Sequence, residues 1–302
     1  MVVWFAVMWL AALAPVRGVD ATNELKPESL RIGFTQNAFQ SMNRNDVEAS
    51  FKAFVETVGR KNGYLIAAQV QIFDDLAEYA AAIRSGAIQL AIVDAWNYQT
   101  MDFQNRAQPL FVSKGEAGLG RRYLMVARQD SGLNTLADLR GKQITLFSVA
   151  NSNLGRYWLE TLLLTNRLGT LAEFFGDVEV AGKPSLALLP VFFGKKSAGL
   201  VDEAGLKVMR ELNPQVGKEL KVLATSEPLV NSIIYLSTTG WSSETYRNDI
   251  IRGLAQLHEE PVGQQILTLF KVARLVPYEE QQLETIRRLR TTFDRLQKES
   301  KP

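Results

Sequence analysis

Hydrophobic and polar positions along this chain fall into blocks that switch between a two-residue and a 3.6-residue period. Residues 30–34 read as a short apolar strand, followed by a polar loop over 35–41. Asn45 or Asp46 then caps a helix carrying Phe51, Phe54, Val55 and Val58 on one face. A strand is expected over 65–72. The helix after it is capped by Asp74 or Asp75, turns Leu76, Tyr79, Ala80 and Ile83 to one side and stops at Gly86. Residues 88–93 form the next strand, which runs into Asp94, Ala95, Trp96, Asn97 and Tyr98. This β-α-β-α-β order predicts a parallel sheet with helices on both faces.

The most informative stretch is 121–164. It reads as an apolar strand over 123–127, a turn at Asp130, Ser131 and Gly132, and a short helix ending at Gly141. A strand over 143–147 follows, then a polar loop that feeds a long apolar helix opening at Asn151, Ser152 and Asn153. A helix start points unpaired N–H groups and the positive end of its dipole outward, which suits a small anion. The pattern continues as strand 177–181, helix 184–193, strand 198–201 and helix 203–212. Residues 220–224 and 232–237 are extended again, and helices over 243–257, 262–270 and 280–298 close the chain. The last has Leu283, Ile286, Leu289, Phe293 and Leu296 on one face and a largely charged opposite face. With no low-complexity linker, the two α/β units are expected to be joined by strands that act as a hinge. The crossings fall near 115–125 and 225–235. Lobe 1 would then hold residues 22–118 and 232–302, and lobe 2 residues 119–231.

Composition narrows the function mainly by exclusion. The 302 residues suffice for two cores, and 46% hydrophobic with 22% charged residues is ordinary for a globular protein. A formal charge of +2, without a basic tract interleaved with aromatics, gives no footprint for nucleic acid. Residues 2–16 are almost wholly apolar, too short to span a bilayer, and Val19, Asp20 and Ala21 place small residues where a signal peptidase cuts. Residues 1–21 are therefore expected to be a signal peptide cleaved near Ala21, with periplasmic export of the rest. No Lys or Arg precedes the apolar run, so Met1 need not be the true start. The chain has no Cys and one His, His258, set in a helical pattern. Thiol nucleophiles and Cys-based metal sites are absent, and no Ser-His-Asp triad or histidine-pair zinc site can be assembled. No cofactor is expected.

The run Leu136-Ala-Asp-Leu-Arg-Gly-Lys142, followed at once by a strand, a polar loop and a helix, resembles the second lobe of type II periplasmic solute-binding proteins. The phosphate/phosphonate-binding group that serves ABC importers is most similar. The likeness covers residues 30–277, including the helix–strand unit at 83–92. It implies an α/β, two-lobed fold with a cleft between lobes, and a ligand-binding protein that is not an enzyme. The family holds its anion at the start of the second-lobe helix, where Ser152, Asn153, Leu154 and Gly155 stand in place of a Ser-Thr-Ser-Gly run. Its crossing-strand tyrosine falls at Arg121, with Tyr123 two residues on; its histidine falls at Lys183 and an acidic residue near Asn231. A first-lobe tyrosine falls at Leu76. The resemblance thus implies a more cationic pocket, suited to a fully ionised phosphate, phosphonate, sulfonate or carboxylate rather than an aminophosphonate.

Independently of the resemblance, Asp94, Trp96 and Tyr98 follow a strand's C-terminal end, where open α/β sheets place ligands, and Gln36 stands in the loop after the first strand. The expected partners are a small anionic ligand and an ABC permease, with the chain as a monomer. Two other functions stay open at this point. One is a protein of the same fold reporting to a membrane sensor histidine kinase; the other is a secreted hydrolase, for which no nucleophile–base pair can be built.

Overall fold

The structure is a computed structural model that describes residues 24–35, 44–148 and 154–299. Two sheets organise it. In the first, β1 (Lys26–Thr35) runs parallel to β2 (Tyr64–Phe73) on one side and β3 (Leu90–Asp94) on the other. Beyond β3 lie β11 (Ser232–Ser237), β4 (Ala107–Gly115) and β12 (Arg274–Pro277), each antiparallel to its neighbour. A two-residue strand, β5 (Gly118–Leu119), pairs with the end of β4. The second sheet has the order β10-β6-β9-β7-β8. It comprises β6 (Tyr123–Arg128), β7 (Gln143–Phe147), β8 (Asp177–Ala181), β9 (Ala198–Asp202) and β10 (Leu220–Thr225).

The helices follow from their caps and apolar faces. α1 (Arg44–Lys61) lies along β2, whose alternating pattern buries Tyr64, Ile66, Ala68, Val70 and Ile72 on the helix side. α2 (Leu76–Arg84) starts where the Asp75 carboxylate accepts from the N–H groups of Ala77 (2.6 Å) and Glu78 (2.9 Å). In the second unit α3 (Leu154–Thr165) and the one-turn α4 (Leu171–Phe174) cover one face of the sheet. The other face carries α5 (Pro184–Phe192), α6 (Glu203–Leu212) and α7 (Pro214–Glu219). α8 (Glu244–Ala255) and α9 (Pro261–Leu269) return to the first sheet.

The final helix, α10 (Glu284–Glu299), packs against α3, so the C-terminal segment reaches the second unit. One core accordingly runs through both units, joining Tyr79 and Val93 to Leu146, Leu159 and Ile286. Two further cores are confined to single faces, around Phe34 and Phe51 in the first unit and around Val126 and Leu188 in the second.

Strand β4 was not legible from pattern. Pro109 stands inside it, and a proline argues against a central strand. The strand is nonetheless flanked by β11 and β12, with a register shift where Ile234 pairs with Phe111 and Tyr235 with Pro109. A bulge of this kind accommodates a residue that cannot donate to the ladder.

Candidate functional site

Pairing registers bring the ends of the second sheet's strands to one rim: Thr225 lies opposite Leu124, Tyr123 opposite Asp202, and Phe147 opposite Ala181. In the first sheet Thr35 and Phe73 end side by side, and Ser232 lies opposite Asp94. The chain passes between these rims twice, at residues 120–122 and 226–231, and the two passages are hydrogen-bonded to each other. Arg121 N donates to Leu229 O (2.8 Å) and Leu229 N to Arg121 O (2.9 Å). Gly120 makes this approach possible: its φ is +80°, and a Cβ there would stand 2.8 Å from the Leu229 carbonyl carbon. At the entrance to β6, the Ser226 hydroxyl accepts from Tyr123 N (2.8 Å) and donates to Glu227 O (2.7 Å).

A cleft of about 550 Å³ opens beside the passages. Its charged lining comprises Arg121, Arg122 and Lys271 against Glu116, Asp202 and Glu203. Asp202 is 5% exposed and caps α6 by accepting from Gly205 N (2.8 Å). Arg121 Nη1 stands 3.9 Å from Asp202 Oδ2, a charge contact too long for a hydrogen bond. Asp202 was missed in the sequence, although it ends a strand and precedes a helix just as the flagged strand-end residues do. With Glu203 it offsets the positive charge of Arg121 and Arg122 in the cleft lining.

The expected site residues separate into groups. Gln36, Ser152 and Asn153 lie outside the described residues, as does the 1–21 segment. Arg121 and Asn231 lie on the two passages, and Asn231 Oδ1 is buried without a hydrogen-bond partner. Lys183 is the exposed N-cap of α5 and forms no side-chain cap. Tyr123 is 3% exposed, with its ring beneath the start of α3. A Cβ on Gly155 would come within 2.6 Å of that ring, so glycine at 155 lets α3 settle there. Leu76 begins α2 and packs against the shared core.

The loop after β3 serves packing more than access. Asp94 Oδ1 accepts from Trp96 N (2.9 Å) and Asn97 N (3.2 Å), closing the turn on itself. Burial pushes its carboxyl up to about 6, against the opposing pull of those two N–H groups. Trp96 and Tyr98, expected to border a ligand, instead meet the last helix. Trp96 is 5% exposed, stacked on Tyr157 and edged by Phe293. Burial raises the Tyr98 phenol, against the opposing pull of the Arg287 guanidinium on the last helix. The spacing of an amphipathic helix 200 residues away carries no signal of where that helix will dock.

Among the described residues no group of three or more His, Cys, Asp or Glu side chains could hold a metal ion. What the cleft offers is recognition: the guanidinium donors of Arg121 and Arg122 and the ammonium of Lys271.

No curated protein sequence matches this chain. Solved structures match in fold. XAC2383 from Xanthomonas citri, bound to ATP, is 14% identical with a TM-score of 0.63, covering 90% of this chain and 99% of that one. A binding protein component of an ABC phosphonate transporter from Pseudomonas aeruginosa gives 14% and 0.58, covering 91% and 89%. PhnD1 from Prochlorococcus marinus, in complex with methylphosphonate, gives 14% and 0.58, covering 88% and 98%. Residues 38–283 match the profile of a family described as ABC transporter, phosphonate, periplasmic substrate-binding protein. That match runs through both sheets and both passages, from ahead of α1 to the turn before α10, and the chain belongs to this family of periplasmic solute-binding proteins.

Proposed function

We propose that this protein captures a small, fully ionised oxyanion of the phosphonate or phosphate type at the passages between its lobes, as a monomer, and presents it to an ABC permease. Lobe 1 comprises residues 22–118 and 232–302, and lobe 2 residues 119–231, with α10 laid across both. Residues 1–21 are removed on export, so the mature protein begins near Thr22.

The observation that carries this reading is the Arg121–Leu229 strand pair, which sets a guanidinium and the Asn231 carboxamide on the two segments that join the two sheets. Arg121 is not hydrogen-bonded to Asp202, so its planar fork can turn to an oxyanion. The buried, unpartnered Oδ1 of Asn231 marks a position where a polar group is owed a partner. A half-turn of the amide presents N–H donors there instead. Ser152 and Asn153 ahead of α3, Lys183 at the head of α5, Gln36 after β1, and Tyr123 complete the proposed set. Methylphosphonate, the ligand held by the Prochlorococcus relative, is the natural first candidate.

Calorimetry on the mature protein with methylphosphonate, phosphate, sulfate and an aminoalkylphosphonate tests the reading. Arg121→Ala should weaken the best ligand roughly ten- to a hundredfold, the scale of a charge-assisted hydrogen bond. Unchanged affinity would move the site away from the passages.

A further inference from the structure

The helix layer over one face of the first sheet has a gap. α1 lies along β2 at one edge of the sheet, while α8 runs from Tyr64 toward β12 at the other. Gly59 accounts for the position of α1, because a Cβ there would come within 2.7 Å of Ile66; the helix sits tight on β2 rather than over the middle. The central strands are left facing a cavity of about 150 Å³, floored by Ile32, Leu90, Ile92 and Ile234. Phe54 and Val58 wall it on α1; Ile250 and Leu254 wall it on α8. Gly253 lies between those two, and a Cβ added to it would meet nothing within 4 Å.

The polar groups at the margin are already satisfied. Ser232 Oγ donates to Ser113 Oγ (3.0 Å), Tyr64 OH donates to Asp249, and Asn62 Nδ2 donates to Val58 O (2.8 Å). Water requires two to four polar partners to settle in a cavity, and this lining offers none unmet. An enclosed apolar cavity of this size in another protein stays dry and takes up benzene or xenon; the pocket here is partly open at one side, with a lining that is almost wholly apolar. The carboxylate of Asp249, paired with Tyr64 and Arg252, would also repel a negatively charged head group.

We propose that the first lobe carries a second ligand site, distinct from the oxyanion cleft: the cavity between α1, α8 and the central strands binds a compact, uncharged, apolar molecule about the size of a benzene ring. The class is set by volume, by the hydrocarbon lining and by the absence of any unpaired polar group to anchor a head group. The site is independent of the oxyanion reading and stands or falls separately from it.

The test uses the mature protein with benzene as probe and benzoate as its charged counterpart. Benzene near saturation should raise Tm by about 2–4 °C, and benzoate should not. Gly253→Leu, which fills the gap from α8, should abolish the benzene increment, whereas Gly253→Ala should keep most of it. Because either substitution also raises helix propensity, the reading is the ligand-induced increment and not Tm itself. Methyl NMR under xenon should perturb Ile32 and Ile234 in the wild type, which needs no variant to fold. No benzene increment in the wild type, equal increments in wild type and Gly253→Leu, or unperturbed methyls under xenon would each overturn the proposal.

Discussion

Trp96, just after β3 of the first sheet, stacks on Tyr157 of α3 in the second unit, with ring centroids 4.0 Å apart and planes 7° from parallel. Phe293 of α10 meets both rings edge-on, at 5.4 and 5.3 Å. Arg290 sits 4.9 Å over the Trp96 ring and donates to Trp96 O (3.2 Å). The two units are therefore joined by an aromatic clasp as well as by strands. An aromatic pair contributes about 0.5–1.5 kcal/mol beyond its burial. Tyr157→Ala should thus cost roughly 2–3 kcal/mol in urea unfolding, while Tyr157→Phe changes little. A loss in the alanine variant no larger than that of an average surface substitution would show that the clasp carries no load.

The backbone pairing at the passages should be sensitive to a single methyl group. Gly120 and Gly132 both hold positive φ, at +80° and +73°, but only at Gly120 would a Cβ meet neighbouring backbone. Gly132→Ala should cost the strain of φ alone, about 1 kcal/mol, and Gly120→Ala about 2–3 kcal/mol. Equal costs in chemical denaturation would show that the contact with Leu229 relaxes freely.

Asp94 gives the fold a pH dependence. Its folded-state carboxyl is raised to about 6 by burial, above its ordinary value of 3.8, so between those values the native state holds the extra proton. The contribution to stability therefore falls as pH rises from about 4 to 6 and stays lost above that, by about 2–3 kcal/mol. Asp94→Asn keeps an acceptor for Trp96 and Asn97 and should be more stable than wild type at pH 7–8, with the advantage vanishing near pH 4. A pH-independent difference in thermal melts would refute this assignment.

Ligand contacts at helix starts should differ by kind. Lys183→Ala removes a whole charge and should weaken an oxyanion by about 1.5–3 kcal/mol, or roughly ten- to a hundredfold. Ser152→Ala should cost less, because backbone N–H donors at a helix start remain. Titration calorimetry that finds both variants unchanged would leave the anion to residues on the passages.

Much of the fold was readable because its signals are local. Asp75 before α2 and the alternation in β2 both act within a few residues. What escaped depends on distant partners. Pro109 is tolerated only because β11 shifts register beside it, and Trp96 becomes core only because α10 and α3 converge on it. The site divides in the same way. Arg121 and Asn231 were placed by motif position, whereas the charge balance at the cleft needed Asp202 and Lys271, which the fold brings together from separate segments.

The strand order of the first sheet also dictates when it can be finished. β11, which separates β3 from β4, is supplied only after the whole of the second sheet has passed, since β6 to β10 are contiguous in the chain. A polypeptide emerging N-terminus first can complete the 123–225 unit while β3 and β4 still present bare edges. Such edges invite pairing with other chains. Holding the chain unfolded until residue 277 has emerged would spare it that hazard, so the vulnerable interval in its biogenesis lies between delivery of β4 and the arrival of β11 on one side of it and β12 on the other.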